Sequence, residues 1–393
     1  MGLPEKMAQA ADVLEILEKN GHDAYFVGGC VRDLLCGHEI GDIDIATSAT
    51  PDAVQKIFDK VIPVGLEHGT VIVRYAHQSY EVTTFRMDGD YSDQRHPDSV
   101  YFIQTIDEDL KRRDFTMNAM AMDKDGTIID IYNGQQDIDS GLIRTVGNGH
   151  DRFKEDPLRI IRAVRFASQL GFSIAPDTLQ AMLSVKQEIE TIAIERIAHE
   201  MEKLFRGEHV QTGIHYLRET GIHNHLPVIK DFPHLMDRLP GPMRPLHSFG
   251  AVIAMLHRLE PAVSIQTWIK SWKCSNKVKQ QAHELDAALA RLQSEGLDRC
   301  LVYRLSDSCY KDFTVLGKFF SNVSITEKDI RDMKQLLPIK SKQDLAIDGN
   351  DIIHFFPDAK GGPWIGELLN DIEQEVIIGN LRNDKKAIRD WIK

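Results

Sequence analysis

The stretch "GDIDIATSAT", residues 41–50, sets Asp42 and Asp44 on either side of Ile43 and follows them with Ile45. Side chains two apart on a β-strand share a face, so the acids should stand side by side while the isoleucines enter a core. Adjacent carboxylates raise each other's cost of ionisation unless a cation lies between them. A pair of Mg²⁺ ions suits them. The ligands are hard oxygens, and Mg²⁺ normally completes its shell with substrate phosphates, which points to phosphoryl or nucleotidyl transfer. A lone D-x-D is otherwise an ordinary solvated strand face. An EF-hand start fits poorly, because the acids alternate with apolar residues and neither a third ligand nor a loop glycine follows.

Just upstream, "GGCVRDLLCG" (28–37) places Gly28 and Gly29 where a strand, "AYFVGG" (24–29), gives way to a short helix. Glycines at such a junction let backbone N–H groups approach a phosphate, and Arg32 in the first helical turn adds a charged contact. Downstream, "TPDAVQKIF" opens a helix with Thr50 as N-cap and Pro51 at the first helical position. "TVIVRY" (70–75), "YEVTTFR" (80–86) and "TIIDIY" (127–132) read as further strands, and "MDGDYSDQRHPDS" (87–99) as a long mobile loop between strands. From about residue 150 helical periodicity takes over, so the second half is expected to be all helical. A Pro-rich break at 232–247 interrupts it. The fold class is therefore α+β.

At 393 residues the chain exceeds the size of one hydrophobic core and should form two to four domains. Its apolar fraction of 42% is ordinary for a globular protein, and the lack of a long apolar run implies no membrane span and a cytoplasmic location. Five cysteines without a C-x-x-C pair are expected to be reduced thiols. The net charge of −12 argues against a general nucleic-acid coat, while leaving room for a local basic face.

"GGCVRD", "DIDIAT", "RRDFTMNAMA" (112–121), "DSGLIRTVG" (139–147), "EDPLRIIRAVRFA" (155–167) and "ERIAHEMEKLF" (195–205), in this order, resemble the polymerase-β-like nucleotidyltransferases. Within that group the sequence is similar to the class II tRNA nucleotidyltransferases of compact bacterial type, which add CCA to tRNA. The resemblance implies a head with a mixed sheet (1–147), a helical neck that recognises the base (148–207), a helical body (208–265) and a tRNA-binding tail (266–393). It implies Asp42 and Asp44 as ligands of two Mg²⁺, Glu81 as the third carboxylate, and CTP, ATP and the tRNA 3′ end as substrates. A homodimer is among the expected assemblies.

Other roles also follow from the resemblance. Gly29 and Arg32 belong to the nucleotide site. Arg113 and Asp114, placed at a helix start, contact phosphates and ribose, Asp114 through the 2′-hydroxyl. Asp156 and Arg159 read the incoming base, with Arg162 and Arg165 continuing their row. Chemistry supports the pair: cytosine and adenine each offer an amino donor beside a ring-nitrogen acceptor, which a carboxylate and a guanidinium can match, whereas uracil and guanine present the reverse. Asp156 before Pro157 also reads simply as an N-cap. Arg86 and Asp88 are the expected levers of the loop, whose removal over 88–97 should spare C addition and abolish the terminal A. Glu195 and Arg196 are read as structural, and "KSWKCSNKVKQQ" (270–281) as lysines around Trp272 that hold RNA or form a solvated face. Three rivals are a poly(A) polymerase, a CC-only or A-only enzyme, and an inactive RNA-binding protein.

Overall fold

Met7, Ala10, Val13, Leu14 and Leu17 recur at helical spacing in α1 (Glu5–Lys19), and all five are fully buried. They form one side of a core that the sheet completes. The computed structural model describes residues 3–89, 91 and 99–392, and the chain divides into two compact units, Met1–Met236 and Asp237–Lys393.

The first unit holds a seven-stranded sheet in the order β3-β4-β5-β2-β1-β8-β9. The strands are β1 (Ala24–Val27), β2 (Asp44–Thr47), β3 (Val61–Gly65), β4 (Thr70–Tyr75), β5 (Gln78–Thr84), β8 (Ala121–Met122) and β9 (Ile128–Ile129). Alternation places Val71, Val73, Tyr80 and Val82 in the core with Ile43 and Ile45, against α1 and α3 (Pro51–Ile57). As expected, the Thr50 hydroxyl accepts the Ala53 N–H and Pro51 opens α3. Among the strands, β2 pairs antiparallel with β1 and parallel with β5, setting Asp44 opposite Glu81. β3 is an edge strand carrying Pro63 at its centre.

Several sequence expectations change here. Asp42 is not in the strand: β2 begins at Asp44, and Asp42 occupies an exposed bend before it. The expected loop is partly ordered, since β6 (Arg86–Asp88) pairs with β7 (Val100–Phe102). Residues 90 and 92–98 of that segment, with most of the proposed 88–97 deletion, lie outside the described residues. The strand read at 127–132 shrinks to two residues. The helical half contains one short strand, β11 (Ser173–Ile174), parallel to β10 (Leu142–Ile143).

Around the sheet lie α2 (Gly29–Leu35), α4 (Ile106–Lys111) and α5 (Gly134–Asp139). Then come α6 (Gly149–Glu155), α7 (Leu158–Leu170), α8 (Pro176–Val185), α9 (Ile194–Phe205) and α10 (Val210–Thr220). Helices α7 and α9 pack together, with Ile160, Ile161 and Val164 of α7 and Ile197, Met201 and Leu204 of α9 buried. A one-turn α11 (Leu235–Arg238) spans the division between the units.

The second unit is helical: α12 (Phe249–Leu259), α13 (Ile265–Ser271), α14 (Asn276–Glu295), α15 (Arg299–Arg304), α16 (Tyr310–Ser321), α17 (Glu327–Gln335), α18 (Gly349–Phe355), α19 (Trp364–Ile378) and α20 (Lys385–Trp391). Trp272 is only 1% exposed and packs edge-on against Phe249, so its ring belongs to the core of this unit. All five cysteines are free. No described helix is long and apolar enough to cross a membrane.

Candidate active site

Gly28 caps α2 with φ 72°, a left-handed conformation that glycine adopts without strain. A Cβ there would also sit 3.0 Å from an Arg113 guanidinium nitrogen. Glycine thus lets Arg113 lie across the strand-to-helix junction, beside Asp44. The junction opens into a cleft of about 580 Å³ whose lining includes Gly28, Gly29, Arg32, Asp42, Asp44, Arg113, Asp114, Asp156, Arg159, Arg162 and Arg165. Among the candidate residues on the sheet only Glu81 is missing from that wall. It stands beside Asp44 through the parallel register, and its charge reaches Asp44.

Burial first, then the Glu81 charge and more weakly Asp42, push the Asp44 carboxyl up to about 6, against the pull of Arg113. A carboxylate so placed holds its charge best with a cation beside it, and the donor set is all oxygen, so the residues fit a hard divalent ion. No cluster of three metal-capable side chains occurs among the described residues. Most of such an ion's shell would therefore fall to substrate phosphates and water.

Arg113 and Asp114 follow the end of α4 and do not start a helix, a correction to the sequence reading. Asp114 is 8% exposed, and its oxygens accept four hydrogen bonds. They come from Phe115 N–H at 2.8 Å, Asn118 Nδ2 at 3.1 Å and two Arg162 nitrogens at 2.8 and 2.6 Å. Burial opposes the charge, yet Arg162 and Asn118 hold this carboxyl well below the usual range. Its lone pairs are full, so a ribose hydroxyl can enter only by displacing a donor, and the Asn118 amide is the longest contact.

Asp156 and Arg159 do not share a helix face as expected: Asp156 ends α6, and α7 starts two residues later. Asp156 caps the Leu158 N–H at 3.1 Å through one oxygen and accepts Arg196 at 2.7 Å through the other. Asp156 is thus the C-cap of α6 and not the N-cap of α7, a place taken by Pro157, although its side chain does accept an N–H of the first turn of α7. Arg159 donates to Glu155 at 2.6 Å and to the Arg112 and Arg152 carbonyls at 3.2 and 3.0 Å. Arg165 pairs with buried Glu200 at 2.6 Å. Loop residues Arg86 and Asp88 pair at 3.1 Å, and Asp88 also lies 3.9 Å from Arg112, outside the cleft wall.

Sequence reasoning missed Asn118, Phe166, Arg196 and Lys203, all of which line the cleft. The sequence suggests a structural role for Arg196, yet its guanidinium bonds Asp156 from 40 residues away. Nothing local marks these four. His223 and His225, on a short helical turn at 222–225, are engaged elsewhere: His223 bonds the Leu217 carbonyl and His225 bonds Glu190.

Residues 24–144 match the Poly A polymerase head domain family, which makes the sheet and its cleft the head of a nucleotidyltransferase. Residues 171–232 match a probable RNA and SrmB-binding site of polymerase A, and 248–392 a putative tRNA nucleotidyltransferase domain 2. The CCA-adding enzyme of Oceanobacillus iheyensis is 46% identical over 391 residues, 99% of this chain and 98% of that protein. That of Bacillus cereus is 39% identical, with 99% and 98% covered. The solved structure of the Bacillus stearothermophilus CCA-adding enzyme in complex with CTP has TM-score 0.88 and 39% identity, covering 99% of this chain and 97% of that one. The chain belongs to the family of CCA-adding enzymes.

Proposed function

We propose that the chain adds C, C and A in turn to the 3′ end of tRNA from CTP and ATP, without a nucleic-acid template, releases pyrophosphate, and repairs damaged ends. The observation that carries this reading is one cleft with Asp42 and Asp44 on its sheet side and Asp156, Arg159 and Arg162 on its helical side. A reacting phosphate and a base can thus be held at opposite ends of one nucleotide. Residues 1–147 serve as head, 148–207 as neck, 208–265 as body and 266–393 as tail. We place the reaction in the cytoplasm.

Transferases of this family work with divalent metal ions; two Mg²⁺ held by Asp42 and Asp44 would activate the terminal ribose hydroxyl and neutralise triphosphate charge. Glu81 adds negative charge behind Asp44. Gly29, Arg32 and Arg113 seat the triphosphate. Asp114 takes the ribose 2′-hydroxyl in place of the Asn118 amide and meanwhile fixes Arg162. Asp156 accepts the amino group of C or A, and Arg159 donates to its ring acceptor. Arg165 holds the row through Glu200, and Arg86 and Asp88 anchor the loop base that re-aims the pair when the growing end changes.

Incorporation of labelled CTP, ATP, UTP and GTP into tRNA lacking its 3′ end tests this reading. Two C and one A are expected. A run of A would indicate a poly(A) polymerase, a product stopping at CC or starting at A a partial enzyme, and no product an RNA-binding protein.

Arg196→Ala should leave Asp156 its cap bond and remove its other partner. The carboxylate then turns more freely, and discrimination of CTP over UTP should fall by about 1 kcal/mol, roughly five-fold. Competition assays measure this; unchanged selectivity would return Arg196 to a packing role.

A further inference from the structure

Phe166, on α7, is 3% exposed, so a nucleotide in the cleft has little of it to touch. Yet three guanidinium carbons lie about its ring, Arg165 at 3.8 Å, Arg32 at 5.0 Å and Arg162 at 5.5 Å from the centroid. All three fall within the range in which a cation is drawn to an aromatic face. Arg32 comes from the head, on α2, while Arg162 and Arg165 come from the neck helix. Phe115, from the segment that carries Asp114, meets the same ring edge-on at 5.8 Å.

Three like charges around one point repel each other, and the acids that answer them sit to the sides. Arg32 has Asp33 at 2.7 Å, Arg162 has Asp114, and Arg165 has Glu200. The ring supplies the negative face between them. A second link follows the same path: Arg32 donates to Asn118 at 2.6 Å, Asn118 donates to Asp114, and Asp114 accepts Arg162. Head and neck arginines are thus tied twice, once by hydrogen bonds and once by the ring, and by the ring alone once a ribose hydroxyl takes the place of the Asn118 amide.

We propose that Phe166 is a positioning residue that sets the spacing between Arg32 and Arg162, and so fixes how far the triphosphate seat stands from the ribose and base seats. This rests on the reading of Arg32 and Arg162 as nucleotide contacts. A fixed spacing serves both nucleotides equally, because C and A share ribose and triphosphate. The ring should therefore govern nucleotide affinity without governing base choice.

The test compares Phe166→Leu and Phe166→Met, which remove the ring, with Phe166→Tyr, which keeps it, and with Arg32→Ala. Each variant is first melted and then assayed below its transition. Both ringless variants should raise KM for CTP and for ATP alike by roughly ten-fold, the worth of a desolvated cation–π contact. Their kcat and CTP-over-UTP selectivity should stay within a factor of about two, and Phe166→Tyr should keep the original KM. Unchanged KM in a folded ringless variant, a rise for one nucleotide only, or a Phe166→Tyr as defective as Phe166→Leu would each overturn the proposal. If Arg32→Ala raises KM while the ringless variants do not, the positioning role fails and the site reading stands. An unchanged KM in Arg32→Ala would overturn both.

Discussion

Asp44→Asn should lose nucleotide incorporation by roughly three orders of magnitude while binding tRNA almost as before, because metal-borne charge stabilisation is worth several kcal/mol. The substitution keeps the side chain's shape beside Glu81 and Arg113 and removes only its charge. The same change should make the metal-free chain more stable at neutral pH. Asp44's carboxyl is raised to about 6 by burial and then by Glu81, so the folded state binds a proton that the unfolded chain has already released. Stability from this group is therefore present at low pH and declines as pH rises from about 4 through about 6. Above that window the charged form costs on the order of 3 kcal/mol, which asparagine avoids and a divalent ion offsets. Thermal melts in chelator at pH 5 and pH 8, with turnover and filter binding beside them, measure all three effects. Turnover close to the original, or a variant less stable than its parent at pH 8 in chelator, would remove Asp44 from the metal site.

Arg159→Ala should relax the choice of base by about 1 to 3 kcal/mol, some 5- to 150-fold, since the donors that oppose UTP and GTP disappear. Folding should survive. Glu155 would lose one partner at 2.6 Å but keep Arg152 at 2.9 Å, so no carboxylate is left alone, and Arg112, one of the two residues whose carbonyls lose a donor, lines the cleft. Competition between CTP and UTP on one tRNA reads the change. Full selectivity in a folded Arg159→Ala would assign base choice elsewhere, Arg196 with Asp156 being the next pair to examine.

How much of this was legible beforehand depended on range. Thr70–Tyr75 declared itself because six alternating residues carry a period, whereas Ala121–Met122 and Ile128–Ile129 are too short to carry one, and only the sheet makes them strands. Asp42 and Asp44 are legible because the glycine pair, Arg32 and the further motifs lie close by, where a lone D-x-D would pass for a solvated strand face. Their strand was overextended, since the sequence does not say where pairing begins. Gly28, Arg113 and Arg162 came from motifs. Asn118 and Phe166 lay inside those motifs without a legible role, because an amide or a ring acquires one only when arginines from distant segments arrive beside it. Arg196 failed for the same reason: its meaning is Asp156, and no local pattern joins them.

The edge strand Val61–Gly65 carries a hazard of its own. Ile62 and Val64 are 40% and 55% exposed on an outer ladder, and Leu66 beyond them is 45% exposed. Such a border invites a second chain to add its strand and continue the sheet into an aggregate. Pro63 between them has no N–H to offer a newcomer, the register slips between Pro63 and Gly65, and Asp59 and Lys60 place exposed charges just ahead. A proline at the centre of the border should thus lower the tendency of this sheet to recruit a strand from a second copy of the chain.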